Sequence, residues 1–392
     1  MSTEQEFRWV PVGEIGDVRM GKQLSPASSR DDGSHAPYLR VANVLDGWID
    51  YSDVKFMSFN ALERKRYGLE PGDILLNEGQ SLELVGRSAI YDGRPGEYYF
   101  QNTLIRFRAG VHVIPEYAQA IFTQWLRDGT FAQVAKKTTS IAHLGGDRFA
   151  KIPFPLISIS RQRRVIGVLG AVNEKRRSSE AKIGKLHSVR SALWDKFESA
   201  GDVSWPLRKL TELARLPSGQ VDPTRLPYAS QQLLAPDHVE SSTGRIIARL
   251  SAAEQGAISG KYVVRPGDVI LSKIRPALRK VVVSDFEGTC SADMYPLRSS
   301  PEVLPEYLCA ALLGSKFSQF ADRVSGRTGI PKLNREDLGE YSLRVPPIGD
   351  QKVIMSALES LAETEQFERL GREKITSLQY TLVGDLIAGK AR

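Results

Sequence analysis

The side chains that could do chemistry are present in this chain, but their spacing points away from catalysis. Gly16-Asp17-Val18-Arg19-Met20-Gly21-Lys22-Gln23 has the glycine and lysine spacing of a phosphate-binding loop, yet Gln23 stands where a Mg2+-binding hydroxyl is required. Residues 384–391 repeat the near miss: Gly389-Lys390 is followed by Ala391, and the run closes a helical stretch instead of following a strand. His35, His112, His143, His187 and His238 are scattered without metal-ligand spacing. Cys290 and Cys309 are too few for a cysteine-rich zinc site or a disulfide framework. Pro346-Pro347 is the sole Pro-Pro and lies outside any Asn/Asp-Pro-Pro-Tyr methylase motif, and no Gly-x-Ser-x-Gly elbow occurs. Asp268 with Lys273 could imitate a nuclease centre, but Asp268 ends a Pro-Gly-Asp turn, where its side chain is expected to close the turn. The chain therefore reads as non-catalytic on its own, with no metal or cofactor site.

Recognition chemistry is better represented. The first half carries Lys22, Gln23, Arg40, Asn43, Asn77, Gln80, Arg87, Lys136, Lys137, Thr138, Thr139 and Ser140 in loop-like stretches. The second carries Gln220, Gln231, Gln232, Lys273, Arg275, Arg279, Arg327, Thr328, Lys332 and Asn334. Arg, Lys, Gln and Asn read base edges in DNA grooves, while Ser, Thr and backbone amides hold phosphates. The same residue types also make ordinary solvated loops. The aromatic set Trp48, Tyr51, Phe56, Phe59 and Trp125 is expected in the core, although an aromatic ring at a loop tip can also wedge between bases.

The elements that must position these loops form a repeat. Pro71-Gly72-Asp73-Ile74-Leu75-Leu76 answers Pro266-Gly267-Asp268-Val269-Ile270-Leu271 at an offset of 195, a turn feeding a buried strand. Pro11 answers Pro206 at the same offset, each just after a tryptophan. Val113-Ile114-Pro115-Glu116-Tyr117 answers Val303-Leu304-Pro305-Glu306-Tyr307 at 190, and each opens a helix, running through Phe122 and Trp125 in one copy and Leu312, Leu313 and Phe317 in the other. Phe131, Thr139, Ile141, Leu144 and Gln162 answer Phe320, Thr328, Ile330, Leu333 and Gln351 at 189. Across the aligned loops the scaffold matches while the polar residues differ: Asn77-Glu78 faces Ser272-Lys273, as two different half-sites would require.

Each half ends in a long apolar stripe of helical period. Val165, Leu169, Val172, Ile183, Leu186, Val189, Leu193 and Phe197 mark the first; Ile354, Leu358, Leu361, Phe367, Leu370, Ile375, Leu378, Leu382 and Leu386 mark the second. A helix of roughly 37 residues spans roughly 55 Å and needs a partner along its length. The charges suit a pair, since residues 161–200 carry ten Lys/Arg against four Asp/Glu and residues 350–392 carry six against seven. Two amphipathic helices lying separately on their domains is the plainer alternative.

Composition sets the outer bounds. A chain of 392 residues, 41% of them hydrophobic, supports two cores, and a net charge of +7 suits a polyanion without requiring one. Two cysteines, a polar N-terminus and the lack of any 18-residue apolar run predict a cytoplasmic protein that neither is exported nor spans a membrane.

In this order and twice over, these features resemble the specificity subunit of type I DNA restriction-modification systems. The turn-and-strand segments at 71–76 and 266–271 and Gly86-Arg87-Ser88-Ala89-Ile90 carry the resemblance. So do the segments at 138–144 and 327–333, each followed by a Pro-containing strand, a Gln and a long helix. It covers essentially the whole chain and implies a mixed α/β fold: target recognition domains at 1–158 and 202–347, in pseudo-twofold repeat, separated by spacer helices at 159–201 and 348–392 that form an antiparallel coiled coil. It also implies that the chain binds double-stranded DNA at a bipartite, asymmetric site. Two methyltransferase subunits, and motor-nuclease restriction subunits in the full complex, are the implied protein partners. Catalysis of adenine methylation, with S-adenosylmethionine as cofactor, would lie in the methyltransferase subunits. Lengthening the helices by one turn is then expected to alter the gap in the recognised sequence. A non-enzymatic scaffold, or a specificity-like subunit of another phage-defence system, is the alternative.

Overall fold

The computed structural model describes residues 7–25, 34–137, 141–200, 204–326 and 331–387. It divides into two compact units, one of residues 1–178 with 372–392 and the other of residues 179–371. Two long helices, Ile159–Ala200 and Ile348–Ile387, each lend a part to both units.

In the first unit an antiparallel sheet runs in the order Gly16–Met20, Leu104–Ala109, Ile74–Asn77, Ser88–Ile90. Its core holds Phe107, Phe122, Phe131, Phe149 and Phe154, all fully buried, with helix Pro115–Arg127 supplying Tyr117, Phe122 and Trp125. A smaller sheet joins Lys55–Ser58, His35–Leu39 and Tyr99–Phe100. The second unit repeats the plan with Ala214–Arg215, Met294–Ser299, Val269–Ser272 and Val281–Val283. Its smaller sheet joins Gln232–Leu234, Gly288–Cys290 and Tyr262–Val264.

Each Pro-Gly-Asp turn is built the same way. Gly72 and Gly267 sit at φ of +93° and +85°, the left-handed region that a Cβ disfavours. The following aspartate closes the turn: Asp73 Oδ2 accepts from Glu70 N at 2.8 Å and Asp268 Oδ2 from Arg265 N at 2.9 Å. Each carboxylate also takes a two-pronged contact from the neighbouring strand, Arg108 at 2.6 and 2.7 Å and Arg298 at 3.0 Å twice. Asp268 is 2% exposed and so is spent on the fold, as the turn position predicts.

The repeat departs from the sequence alignment in three places. Gly16 pairs with Ala109 and Ala214 with Ser299, so helix Val12–Ile15 corresponds to Leu210–Leu213. The N-terminal offset is therefore 198, and Pro11 corresponds to Lys209 instead of Pro206. Tyr67 ends helix Ala61–Tyr67, whereas Tyr262 begins a strand. Helix Pro305–Leu313 stops at Gly314, leaving Phe317 in a separate helix, Ser315–Ser325.

The long helices pair within one chain. In the first unit Val165, Ile166 and Leu169 share a core with Leu382 and Val383, and Arg127 stacks 3.8 Å from the Tyr380 ring centre. In the second, Ser179 Oγ donates to Glu368 at 3.1 Å, Arg190 lies 3.7 Å from Glu365, and Trp194 shares a core with Ile354 and Leu358. Within the second unit, numbers rise along one helix as they fall along the other, so the two segments run antiparallel, and apolar residues of both helices are buried in the domain cores.

Candidate nucleic-acid interface

A short ladder at the end of the central strands is duplicated bond for bond. In the first unit Glu78 N donates to Thr103 O at 2.9 Å and Leu144 N to Glu78 O at 2.8 Å. In the second, Lys273 N donates to Asp293 O at 2.9 Å and Leu333 N to Lys273 O at 2.8 Å. Gly79 then faces His143 across an antiparallel pair, and Ile274 faces Lys332. One step on, Gln80 faces Ala142, and Arg275 N donates to Pro331 O at 2.8 Å. The two backbones thus hold equivalent positions, and only the side chains differ.

In the first unit those positions carry Glu78, Gln80 and His143. His143 Nδ1 lies 3.0 Å from Glu78 Oε2, and the outer strand Lys136–Lys137 adds two exposed ammonium groups beside them. In the second unit the same positions carry Lys273, Arg275 and Lys332, three cations, of which Arg275 and Lys332 are exposed. Lys273 is largely covered, 5.5 Å over the Tyr295 ring and 3.9 Å from Asp293. A carboxylate–imidazole–amide set can offer both donors and acceptors to base edges, while a triple-cation set favours phosphates or guanine acceptors. Glu78 and His143 escape a search for basic and amide residues; the signal for them is their alignment with Lys273 and Lys332.

The other sequence candidates separate into those that reach solvent and those committed to the fold. Gln23 and Gln220 are exposed. Lys22 is not available, because its Nζ donates to Ser58 O at 2.6 Å and Glu63 at 2.7 Å. Arg40 meets Asp53 at 2.5 Å, and Asn43, 2% exposed, donates to Asp50 O and Asp53 O. Asn77 is fully buried, with its amide 3.4 Å from Val44 O. Asn334 caps helix Arg335–Glu340 by accepting from Asp337 N at 2.7 Å. Arg87, Gln231 and Gln232 are half-buried, Gln232 accepting from Arg249 at 3.3 Å. Arg279 turns toward Leu313 O and is not gathered with Arg275 and Lys332. Thr138, Thr139, Ser140, Arg327 and Thr328 lie outside the described residues. Among the aromatic residues, Phe59 and Trp125 are buried, but Trp48 and Phe56 are 55% and 61% exposed, contrary to a core assignment. Among the described residues no cluster of His, Cys, Asp and Glu could hold a metal ion, and no helix is long and apolar enough to cross a membrane.

Comparison with known proteins bears on this geometry. Residues 241–377 match the type I restriction modification DNA specificity domain. The type I restriction enzyme EcoDI specificity subunit of Escherichia coli is 35% identical over 158 residues, 40% of this chain and 35% of that one. The EcoKI specificity subunit of Escherichia coli K12 is 26% identical over 134 residues, 34% of this chain and 28% of its own length, so the match spans about a third of each Escherichia coli relative. The putative type I restriction enzyme MjaX specificity subunit of Methanocaldococcus jannaschii is 20% identical over 414 aligned residues, 99% of this chain and 97% of that one. Among solved structures, a chain from a type I R-M system described for its complex assembly and conformational transition superposes with a TM-score of 0.59 at 15% identity, covering all of both chains. The S subunit from M. genitalium gives 0.51 at 12% identity, covering 99% and 97%.

The fold is thus shared with these type I S subunits, mixed α/β with two domains and a pair of coiled-coil helices. Residues 241–377 match a type I restriction modification DNA specificity domain, and the chain is similar to type I restriction enzyme specificity subunits along its length.

Proposed function

We propose that this chain is the DNA-reading component of a type I complex. Each unit engages one part of a bipartite, asymmetric site on double-stranded DNA, and the paired helices set the number of unread base pairs between the parts. The chain itself is not catalytic. It docks two methyltransferase subunits, which use S-adenosylmethionine to modify adenines in the two half-sites, and motor-nuclease subunits in the full complex. The observation that carries this reading is the duplicated ladder: one backbone frame, used twice, displays Glu78, Gln80 and His143 in one copy and Lys273, Arg275 and Lys332 in the other. A scaffold has no use for two equivalent frames with divergent polar tips; a reader of two different half-sites does.

Two measurements test it. Mapped modification of host DNA is expected to show a split adenine motif that disappears when the gene is deleted. Its absence, with the complex assembled, moves the chain to the scaffold or to a non-methylating defence system. In binding assays the double variant Arg275→Ala with Lys332→Ala is expected to flatten the slope of log K against log salt by about 0.9 for each phosphate no longer neutralised. The pair Lys136→Ala with Lys137→Ala should do the same through the other half-site. A slope unchanged in both double variants removes the ladder from the interface.

A further inference from the structure

Within the second unit, three helices and a loop border an open-sided cavity of about 290 Å3. This is roughly twice the ~150 Å3 that suffices for a benzene ring in an apolar protein cavity. Its wall combines an apolar surface, from Trp194, Leu313 and Leu358, with Arg190, Arg279 and His187. Glu306 and Glu359 also border it, but both are exposed and so lie where water screens them.

Arg279 is the informative residue. Among the described residues its guanidinium has no ion pair, and its side chain's one hydrogen bond is a 3.5 Å contact to Leu313 O. It is also held at φ +45°, and Ser242, at φ +63° on the same wall, donates its N–H to Arg279 O at 3.1 Å. Two side-chain-bearing residues in the left-handed region, pinned to each other, cost stability that the fold recovers elsewhere, and such strain gathers at binding sites. Glycine would relieve it, at the loss of the guanidinium. Arg190 is better supported, donating to Thr243 O at 3.1 Å and lying 3.7 Å from Glu365. Burial, and then the charge of Arg190, holds His187 below its ordinary value, so the ring is neutral near pH 7 and can donate one hydrogen bond without competing for an anion.

We propose that this cavity binds a small organic anion with a flat apolar body and a single carboxylate or phosphate head. The body lies against Trp194 and Leu358, and the head meets Arg279, with Arg190 and His187 beside it. Because the wall draws on both long helices and on the second domain, an occupant ties the helix pair to that domain. The inference is independent of which DNA the chain reads.

The test uses the full chain, titrated calorimetrically with naphthalene-2-carboxylate, with its neutral carboxamide and with phenyl phosphate. The carboxylate or the phosphate is expected to bind and, at roughly tenfold its Kd, to raise Tm by on the order of 2 °C. The tighter of the two identifies the head group. The carboxamide should bind roughly ten- to a hundredfold more weakly than the carboxylate, the difference a charged hydrogen-bond partner makes. Arg279→Gly should fold with an unchanged or higher Tm and lose binding by a similar factor. Ala310→Leu, which fills the cavity from its helical side, should abolish binding while leaving the Tm within a few degrees. No heat and no Tm shift with either anion overturns the proposal. So does binding that Arg279→Gly and Ala310→Leu leave intact, or a carboxamide that binds as well as the carboxylate.

Discussion

Replacing Gln351 by alanine is expected to cost about 3–5 kcal/mol, concentrated in the second unit, and Gln162→Ala should do the same to the first. Each glutamine stands at the head of a long helix and is fully buried. Gln351 Oε1 accepts from Leu304 N at 2.8 Å, while its Nε2 donates to Glu302 O at 2.9 Å and Pro346 O at 2.8 Å. Gln162 repeats this with Ile114 N, His112 O and Ile157 O, all at 2.8 Å. One amide therefore joins the helix start to the loop that opens the domain's own helix. Alanine strands one N–H and two carbonyls at about 1–3 kcal/mol each, less whatever entering water restores. Methionine fills most of the volume without the bonds, so it separates lost packing from lost hydrogen bonding. Because two units need not unfold together, hydrogen exchange measured per segment is the proper readout. Protection in residues 204–326 that survives Gln351→Ala and Gln351→Met unchanged would show the amide to be dispensable.

These two glutamines also explain why the repeat was legible. Residues recur at matched positions when one three-dimensional task is done twice, and Gln162/Gln351, Asp73/Asp268 and Pro115/Pro305 each do one. The long helices were legible from their apolar period, but the stripes are covered only in part, with Val189, Phe367, Leu370 and Leu378 left 45%, 76%, 47% and 67% exposed. The N-terminal register was not. Trp9 pairs with Pro155 and Leu207 with Arg344, so these two are equivalents, both half-exposed on an edge, and the nearby Trp-Pro similarity carries no structural weight. Strand register is chosen by the partner strand, which a local motif does not contain. Polar loop residues were the hardest part. Asn43 and Asn77 have the composition of readers, yet Asn43, in a short helical turn, donates to Asp50 O and Asp53 O, and Asn77, at the end of strand Ile74–Asn77, is buried with its amide toward Val44 O. Nothing in composition separates an amide that bonds its own chain from one that waits for a ligand. The exposure of Trp48 and Phe56 fails in the same way, because apolar type predicts burial only on average.

Asp268→Ala is expected to cost about 2–4 kcal/mol, with Asp73→Ala close behind it in the other unit. Both carboxylates are nearly inaccessible, and each has two tasks. One is to cap the Pro-Gly-Asp turn through Arg265 N or Glu70 N; the other is to neutralise Arg298 or Arg108 on the adjoining strand. Removal leaves a turn N–H without its acceptor and an arginine, partly covered, without its counter-charge. Water reaches the guanidinium of Arg298, 27% exposed, which holds the loss below that of a fully buried pair. Asparagine keeps the turn acceptor but not the charge, so stability should fall in the order Asp268, Asn, Ala. The double variant Asp268→Ala with Arg298→Ala should cost less than the sum of the single changes, by about 1–3 kcal/mol, because the second deletion removes the stranded charge. Lys273→Ala should leave the turn intact, since Lys273 faces Asp293 and Tyr295 and not Asp268. Urea titrations of these variants decide the matter. Strict additivity of the Asp268 and Arg298 changes, or an Asn variant as unstable as the Ala variant, would remove one of the two tasks from Asp268.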